Sequence, residues 1–202
     1  MDSLNLSETE RIKADSIKYL TNLQKNYEDE YFELRESTRN WIDLAISING
    51  MIHQNTFSDF INRNKRSLGS GRLLVDKYLN TIMGMIDLLE KSKISTNEEI
   101  ILKRQTNYPI TNKYVFTSVS DREDLESNLI FGDKTYFIKI PKGIPIFYIS
   151  TFDEHAGMLR EETEEEFILY PGRTILDENN LLVYQPIMID SNQLRDYFLS
   201  YF

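Results

Sequence analysis

The sequence predicts an α+β protein, with a helical first half followed by a strand-rich second half. Apolar residues recur at helical spacing as far as Leu89, and beyond Ser95-Thr96-Asn97 they gather into short runs rich in Ile, Val, Phe and Tyr. The two textures do not alternate, which argues against a doubly wound parallel sheet. The expected organisation is one domain over 1–202, with a helical lobe over 1–97 and a β-rich lobe over 98–202.

With 202 residues, 41% of them hydrophobic, the chain is long enough to bury a core without staples. A formal net charge of -9 argues against partners that bind through phosphate backbones or anionic membranes, leaving protein or small-molecule partners as the expectation. There is no cysteine, and the two histidines, His53 and His155, are far apart. Thiol nucleophiles, disulfides and Cys- or His-rich metal sites are therefore excluded, so no metal is expected and any chemistry must use carboxylates, hydroxyls or cations. The N-terminus is polar and acidic, and no run reaches membrane-span length. A soluble protein made without a Sec-type signal is expected, cytoplasmic or delivered into a host cell.

Ser7 and Glu10 form a capping-box pattern ahead of Ile12, Tyr19, Leu20, Leu23, Tyr27, Tyr31 and Leu34, which predicts a long amphipathic helix. Trp41 to Ile52 repeats the period as a second helix, and Phe57 to Lys65 suggests a third. Leu68-Gly69-Ser70-Gly71 breaks the run before a fourth helix marked by Val75, Tyr78, Leu79, Ile82, Ile86 and Leu89. Those glycines lack the Gly-Lys-Ser/Thr ending of a phosphate loop and follow no strand. Six strands are then predicted over 98–104, 114–120, 135–140, 144–149, 165–170 and 181–189, with a closing helix from Asn192.

The densest chemistry lies in Glu161 to Gly172, where five carboxylates run into Phe167-Ile168-Leu169-Tyr170 and Pro171-Gly172 ends the run. If the strand starts by Glu164, alternation puts Glu164 and Glu166 on one face and Glu165 on the other. Two like charges on one face repel unless a ligand uses them. On composition alone, a solvated acidic loop leading into a core strand is the plainer alternative.

Three features stand in order along the chain: Ile100 to Arg104, a run ending in arginine; Phe116-Thr117-Ser118-Val119-Ser120, with two alternate serines; and Glu164-Glu165-Glu166 ahead of the apolar run. Together they resemble the mono-ADP-ribosyltransferase family, especially the single-domain clostridial Rho-modifying exoenzymes and the phage ADP-ribosyltransferases. Ile100-Ile101-Leu102-Lys103-Arg104 is similar to the strand ending in arginine, and Phe116-Thr117-Ser118-Val119-Ser120 to the aromatic-x-Ser-x-Ser strand. Glu164-Glu165-Glu166 followed by the apolar run resembles the acidic pair of that family. Phe131-Gly132-Asp133-Lys134 is similar to its phosphate-nicotinamide loop, and Ile140-Pro141-Lys142-Gly143 to the turn of the next hairpin. The resemblance spans Val75 to Ile189 and implies a helical lobe packed on a two-sheet β core, with NAD, as a substrate, in the cleft.

By resemblance, Glu166 stabilises the oxocarbenium-like transition state, and Arg104 grips phosphate. Ser118 orients the sugar and the catalytic glutamate, Ser120 and Phe131 contribute to the NAD site, and Lys134 contacts phosphate. Glu164 aligns and helps deprotonate the acceptor. Ser150 to Thr163 takes the place of the recognition loop for an unidentified target protein, with Phe152, His155, Met158 and Arg160 as candidate contacts. Each residue also has a plainer reading: Arg104 as a surface arginine, the serines as strand hydroxyls, Phe131 as core, His155 as a solvated loop residue. Gln105, Val119 and Lys134 stand where relatives often carry Gly, Thr and Arg.

Family members that modify arginine usually have Glu at the first acidic position, so Glu164 implies a protein arginine as acceptor, in a toxin, an effector or a phage-type host-modifying enzyme. A guanidinium, with a pKa above roughly 12, needs a partner that relieves it of a proton. Pairing Glu162 with Glu164 is the slipped alternative. An NAD glycohydrolase, or a fold that only binds a protein partner, are the alternatives in function.

Overall fold

A computed structural model describes residues 3–38, 71–106, 113–122, 134–150, 165–178 and 181–200. The predicted helices around Trp41 to Ile52 and Phe57 to Lys65 lie outside the described residues. Helix α1 spans Ser3–Asn26, so Ser7 lies inside it rather than at its cap. Leu4-Asn5-Leu6 holds no Pro or Gly to stop the helix at Ser7. After Tyr27 the chain is helical again over 28–38, here α2, and hydrogen bonds from Tyr27 N to Leu23 O and from Tyr31 N to Tyr27 O carry the helix across the junction.

Helix α3, Gly71–Ser92, includes Gly71, which its place in a glycine-rich breaker argues against. Its buried face carries Tyr78, Leu79, Ile82, Ile86 and Leu89 of the predicted stripe, joined by Met85. At Gly84 a Cβ would meet Ser37, its own Cβ only 2.5 Å away, so the missing side chain lets α2 and α3 touch backbone to side chain.

Six strands follow: β1 Ile100–Thr106, β2 Val115–Ser120, β3 Lys134–Ile140, β4 Ile146–Tyr148, β5 Glu166–Leu176 and β6 Leu182–Pro186. Each lies on a predicted strand. Helix α4, Ser191–Leu199, closes the described chain behind a capping box made by Asp190 and Gln193.

β1, β3 and β6 form one group, with β1–β3 antiparallel and β3–β6 parallel; β2, β5 and β4 form another through antiparallel pairs. Two joints connect the groups. One is the second half of β5, from Gly172 to Leu176, which pairs with β6; the other is the pair Lys103↔Ser120 between β1 and β2. The core runs without a break from Ile12 and Leu20 of α1 and Ile82 and Ile86 of α3 to Ile138, Phe147, Phe167 and Ile168 of the sheet.

β5 corrects two expectations. It begins at Glu166 rather than by Glu164, and it runs through Pro171-Gly172 instead of ending there. Glu165 has φ 45°, so strand alternation stops at Glu166 and does not place Glu164 on its face. Pro171 lacks only an N–H; its carbonyl still accepts from Ile187 N at 2.9 Å. Gly172 sits where β5 changes neighbours, pairing with Val115 of β2 and Pro186 of β6. A Cβ there would meet the Tyr184 ring tip and lie 2.5 Å from Gln185 O.

Candidate active site at the β1–β2 split

The site forms where β1 and β2 part. Among the described residues their ladder is the pair Lys103↔Ser120, and beside it a gap opens next to the Ser118 carbonyl. Arg104 fills that gap: a guanidinium nitrogen donates to Ser118 O at 3.1 Å. Alternation puts Arg104 on the face of β1 that carries Ile100 and Leu102, both buried, while Lys103 turns outward over Phe137, 5.7 Å from the ring. Burial disfavours the charged guanidinium and lowers its pKa, whereas the nearby Glu166 carboxylate raises it. An arginine stays protonated under this opposition, so the site holds a fixed positive charge beside a carboxylate.

β2 brings the serines. Ser118 and Ser120 alternate with buried Thr117 and Val119, and the β2–β5 register sets Ser118 opposite Ile168 and Ser120 opposite Glu166. Ser120 Oγ accepts from Arg122 N at 3.2 Å. Glu166, half-buried, is fixed through its backbone on its other side: its N–H donates to Ser150 Oγ at 2.8 Å and its carbonyl accepts from Ile149 N at 2.9 Å. Ser150, buried, reads from sequence only as the start of a loop; here it anchors the first residue of β5.

Arg104, Ser118, Ser120 and Glu166 are therefore brought together by β1, β2 and β5. Lys134 opens β3 and is exposed; it pairs with Thr106, on the face shared with Arg104 and Tyr136. Glu164, Phe131, Phe152, His155, Met158 and Arg160 lie outside the described residues.

Glu165 takes a different direction from its neighbour. Its carboxylate lies 2.5 Å from Lys13 Nζ on α1, and the same ammonium lies 2.9 Å from Asp121, the residue after Ser120. Lys13 also sits over the rings of Tyr148 and Phe167. Burial opposes the charge on Glu165, but hydrogen bonds with Lys13 and with Asp121, joined by the charges of Lys13 and Arg122, together outweigh it and lower its pKa. For Asp121 burial prevails over Lys13 and the pKa rises. Sequence spacing gives no hint of this cluster, because Lys13 is one charge among many on an amphipathic helix.

Among the described residues no group of acidic or histidine side chains is arranged to hold a metal, and no helix is long and apolar enough to cross a membrane.

No protein-family model matches the chain, and no curated protein matches it. Solved structures do. Plx2a, an ADP-ribosyltransferase toxin from Paenibacillus larvae, is 15% identical over 88% of this chain and 93% of its own, with a TM-score of 0.45. An ADP-ribosyltransferase from Clostridium botulinum is 15% identical over 81% of this chain and 92% of its own, with a TM-score of 0.41. Exoenzyme S from Pseudomonas aeruginosa, solved with human 14-3-3 protein beta and Carba-NAD, is 15% identical over 90% and 85%, with a TM-score of 0.40. The chain is similar to these solved structures.

Proposed function

We propose that the protein is a mono-ADP-ribosyltransferase that cleaves NAD and passes ADP-ribose to a protein side chain, most simply arginine. The observation that carries this reading is the convergence of Arg104, the Ser118/Ser120 strand and Glu166 at one split in the sheet. In sequence these residues follow the order Arg, Ser-x-Ser, Glu-x-Glu. One domain carries the whole site on this reading.

Breaking the bond between the nicotinamide nitrogen and ribose C1″ leaves the electron pair on nicotinamide and positive charge on the sugar. A carboxylate held in place stabilises that charge without reorganising at the moment of reaction. Glu166 suits this role because both its backbone groups are pinned, N–H by Ser150 and carbonyl by Ile149. Arg104 spends one donor on Ser118 O and keeps the others for pyrophosphate, a match for its planar fork. Lys134 adds a point charge from the β3 end. The acceptor nitrogen then bonds to C1″ and gives up a proton, for which Glu164 is the proposed base; Phe131 is proposed for the nicotinamide ring, and Phe152, His155, Met158 and Arg160 for the target protein.

Incubation with NAD labelled in its adenylate half, together with a protein mixture and with agmatine, tests the assignment. Label entering protein and agmatine supports arginine transfer. Free ADP-ribose alone would make the protein a glycohydrolase, and intact NAD would remove the enzymatic reading.

A further inference from the structure

Lys13 joins the ends of two strands. Asp121 directly follows Ser120, Glu165 directly precedes Glu166, and the Lys13 ammonium binds both carboxylates, at 2.9 and 2.5 Å. The cation therefore sits one step beyond the Ser120↔Glu166 pair on each strand. The groups facing it are Asp121 and Glu165, the rings of Tyr148 and Phe167 at 5.4 and 5.7 Å, and, through its partners, Thr9, which hydrogen-bonds Asp121, and Arg122, whose charge acts on Glu165. Asp121 Oδ1 is buried with no hydrogen-bond partner, so Asp121 leans on the contacts at its other oxygen.

Glu165 and Glu166 carry the same carboxylate, and nothing in their covalent chemistry says which one belongs at the split. The buried run Phe167-Ile168-Leu169 fixes the strand from its second residue onward. It does not fix Glu165, whose φ of 45° is a conformation that a side chain with a Cβ seldom adopts without outside support. Lys13 supplies that support from another element.

We propose that Lys13 is a positioning residue for Glu166: by holding Glu165 against α1 in its left-handed conformation, it sets how the chain enters β5 and leaves the Glu166 carboxylate to the split beside Arg104. This rests on the catalytic reading of Glu166 given above. Asp121 and Glu165 also hydrogen-bond each other beside the ammonium, a contact that lasts only while one of them keeps a proton; without the lysine, the pair once ionised has no cation between its carboxylates. Repulsion then pushes the Glu165 segment off Asp121 and loosens the backbone anchor of Glu166 on Ser150.

The test compares wild type, Lys13→Met and Lys13→Arg by nicotinamide release from NAD between pH 5 and 8, and by hydrogen exchange of individual amides. For Lys13→Met the expected result is a kcat lower by about ten- to a hundred-fold at pH 8, the range for a misplaced catalytic group, with the KM for NAD little changed. The mutant-to-wild-type ratio should recover toward pH 5, because a proton on either carboxylate removes the repulsion. Lys13→Arg should restore most of the rate. The Glu166 amide should lose protection in Lys13→Met while Thr174 and Tyr184 keep theirs, which separates positioning from general unfolding. A wild-type kcat with unchanged Glu166 protection would overturn the proposal, as would a loss equal at every pH and spread over all of β5. If wild type itself releases no nicotinamide, the catalytic reading fails, and the exchange data still decide whether Lys13 holds the β5 entrance.

Discussion

Ser120 and Glu166 face one another across the β2–β5 ladder, and Arg104 reaches the same place from β1 by donating to the Ser118 carbonyl. Three strands are committed to one small volume, and each residue's substitution should have its own signature.

Glu166→Gln keeps size and removes charge. Nicotinamide release and transfer should both fall by about a hundred-fold or more, the usual cost of removing one electrostatic partner of a transition state. The backbone bonds of Glu166 to Ser150 and Ile149 survive, but Arg104 loses the carboxylate that offsets its burial, so a modest loss of thermal stability should accompany the loss of rate. Rate assays and melting curves on the same preparation check both parts. Near-wild-type turnover would remove Glu166 from the chemistry.

Arg104→Ala should chiefly weaken NAD binding, because phosphate is present in the ground state as well as the transition state. It also strips Ser118 O of its donor at the split, so a modest loss of stability should accompany it. Titration calorimetry with unchanged NAD affinity would return Arg104 to a structural role.

Glu164→Gln should divide the two activities. If Glu164 serves the acceptor and Glu166 serves NAD, the variant loses agmatine modification by a much larger factor than NAD hydrolysis, and water becomes the main acceptor. Hydrolysis and transfer measured side by side settle it: equal loss of both means the two glutamates act on NAD as one unit.

Gly172→Ala tests the crossing point of β5. The new methyl would meet the Tyr184 ring and the backbone oxygen of Gln185, and the backbone oxygen has no rotamer to retreat to. A cost of about 1–3 kcal/mol is expected, as for overpacking. That should lower the melting temperature by about 2–4 °C per kcal/mol for a chain of this size. An unchanged melting temperature would mean that β5 and β6 can separate there without cost.

Glu8→Gln addresses acid stability. Buried Glu8 accepts from Arg11 Nε at 2.9 Å, from a second Arg11 nitrogen at 2.7 Å and from Asn97 N at 2.6 Å. The hydrogen bond from Arg11 leads in lowering its pKa, against burial, which raises it. A depressed carboxylate contributes stability above its unfolded value, 4.5 for glutamate, and loses it as pH falls through the folded value. Wild type should therefore exceed Glu8→Gln by about 1.5–3 kcal/mol at pH 7, the range for hydrogen bonds to charged groups. The gap should close in urea melts taken at decreasing pH below 4.5. Asp121, whose raised pKa acts in the opposite sense, is the same in both proteins and cancels.

The strands were legible because each contains a run rich in branched and aromatic residues, and the α3 stripe because its period is unambiguous. Their order along the chain singled out Arg104, Ser118, Ser120 and Glu166, and β1, β2 and β5 bring these four to one split in the sheet. Pro171-Gly172 misled because a proline and a glycine usually punctuate a strand, whereas here the pair marks a change of neighbours inside one. The turn at Glu165 was hidden for a related reason: its conformation is fixed by Lys13, a residue on α1, and no local pattern reports a contact of that separation. Helix α1 began earlier than its capping signal because Ser-x-x-Glu also occurs harmlessly inside helices.

Because the strand groups join, among the described residues, through the pair Lys103↔Ser120 and through β5 reaching both β2 and β6, the candidate site is assembled only after distant parts of the chain have met. Contacts of this kind form late, since loop-closure entropy must be met before they stabilise anything. A growing chain that has released Arg104 and the Ser118 strand but not yet β5 holds no assembled site. Competence to act on a ligand would thus appear as one of the last events of folding, and a half-made or partly unfolded molecule would be silent.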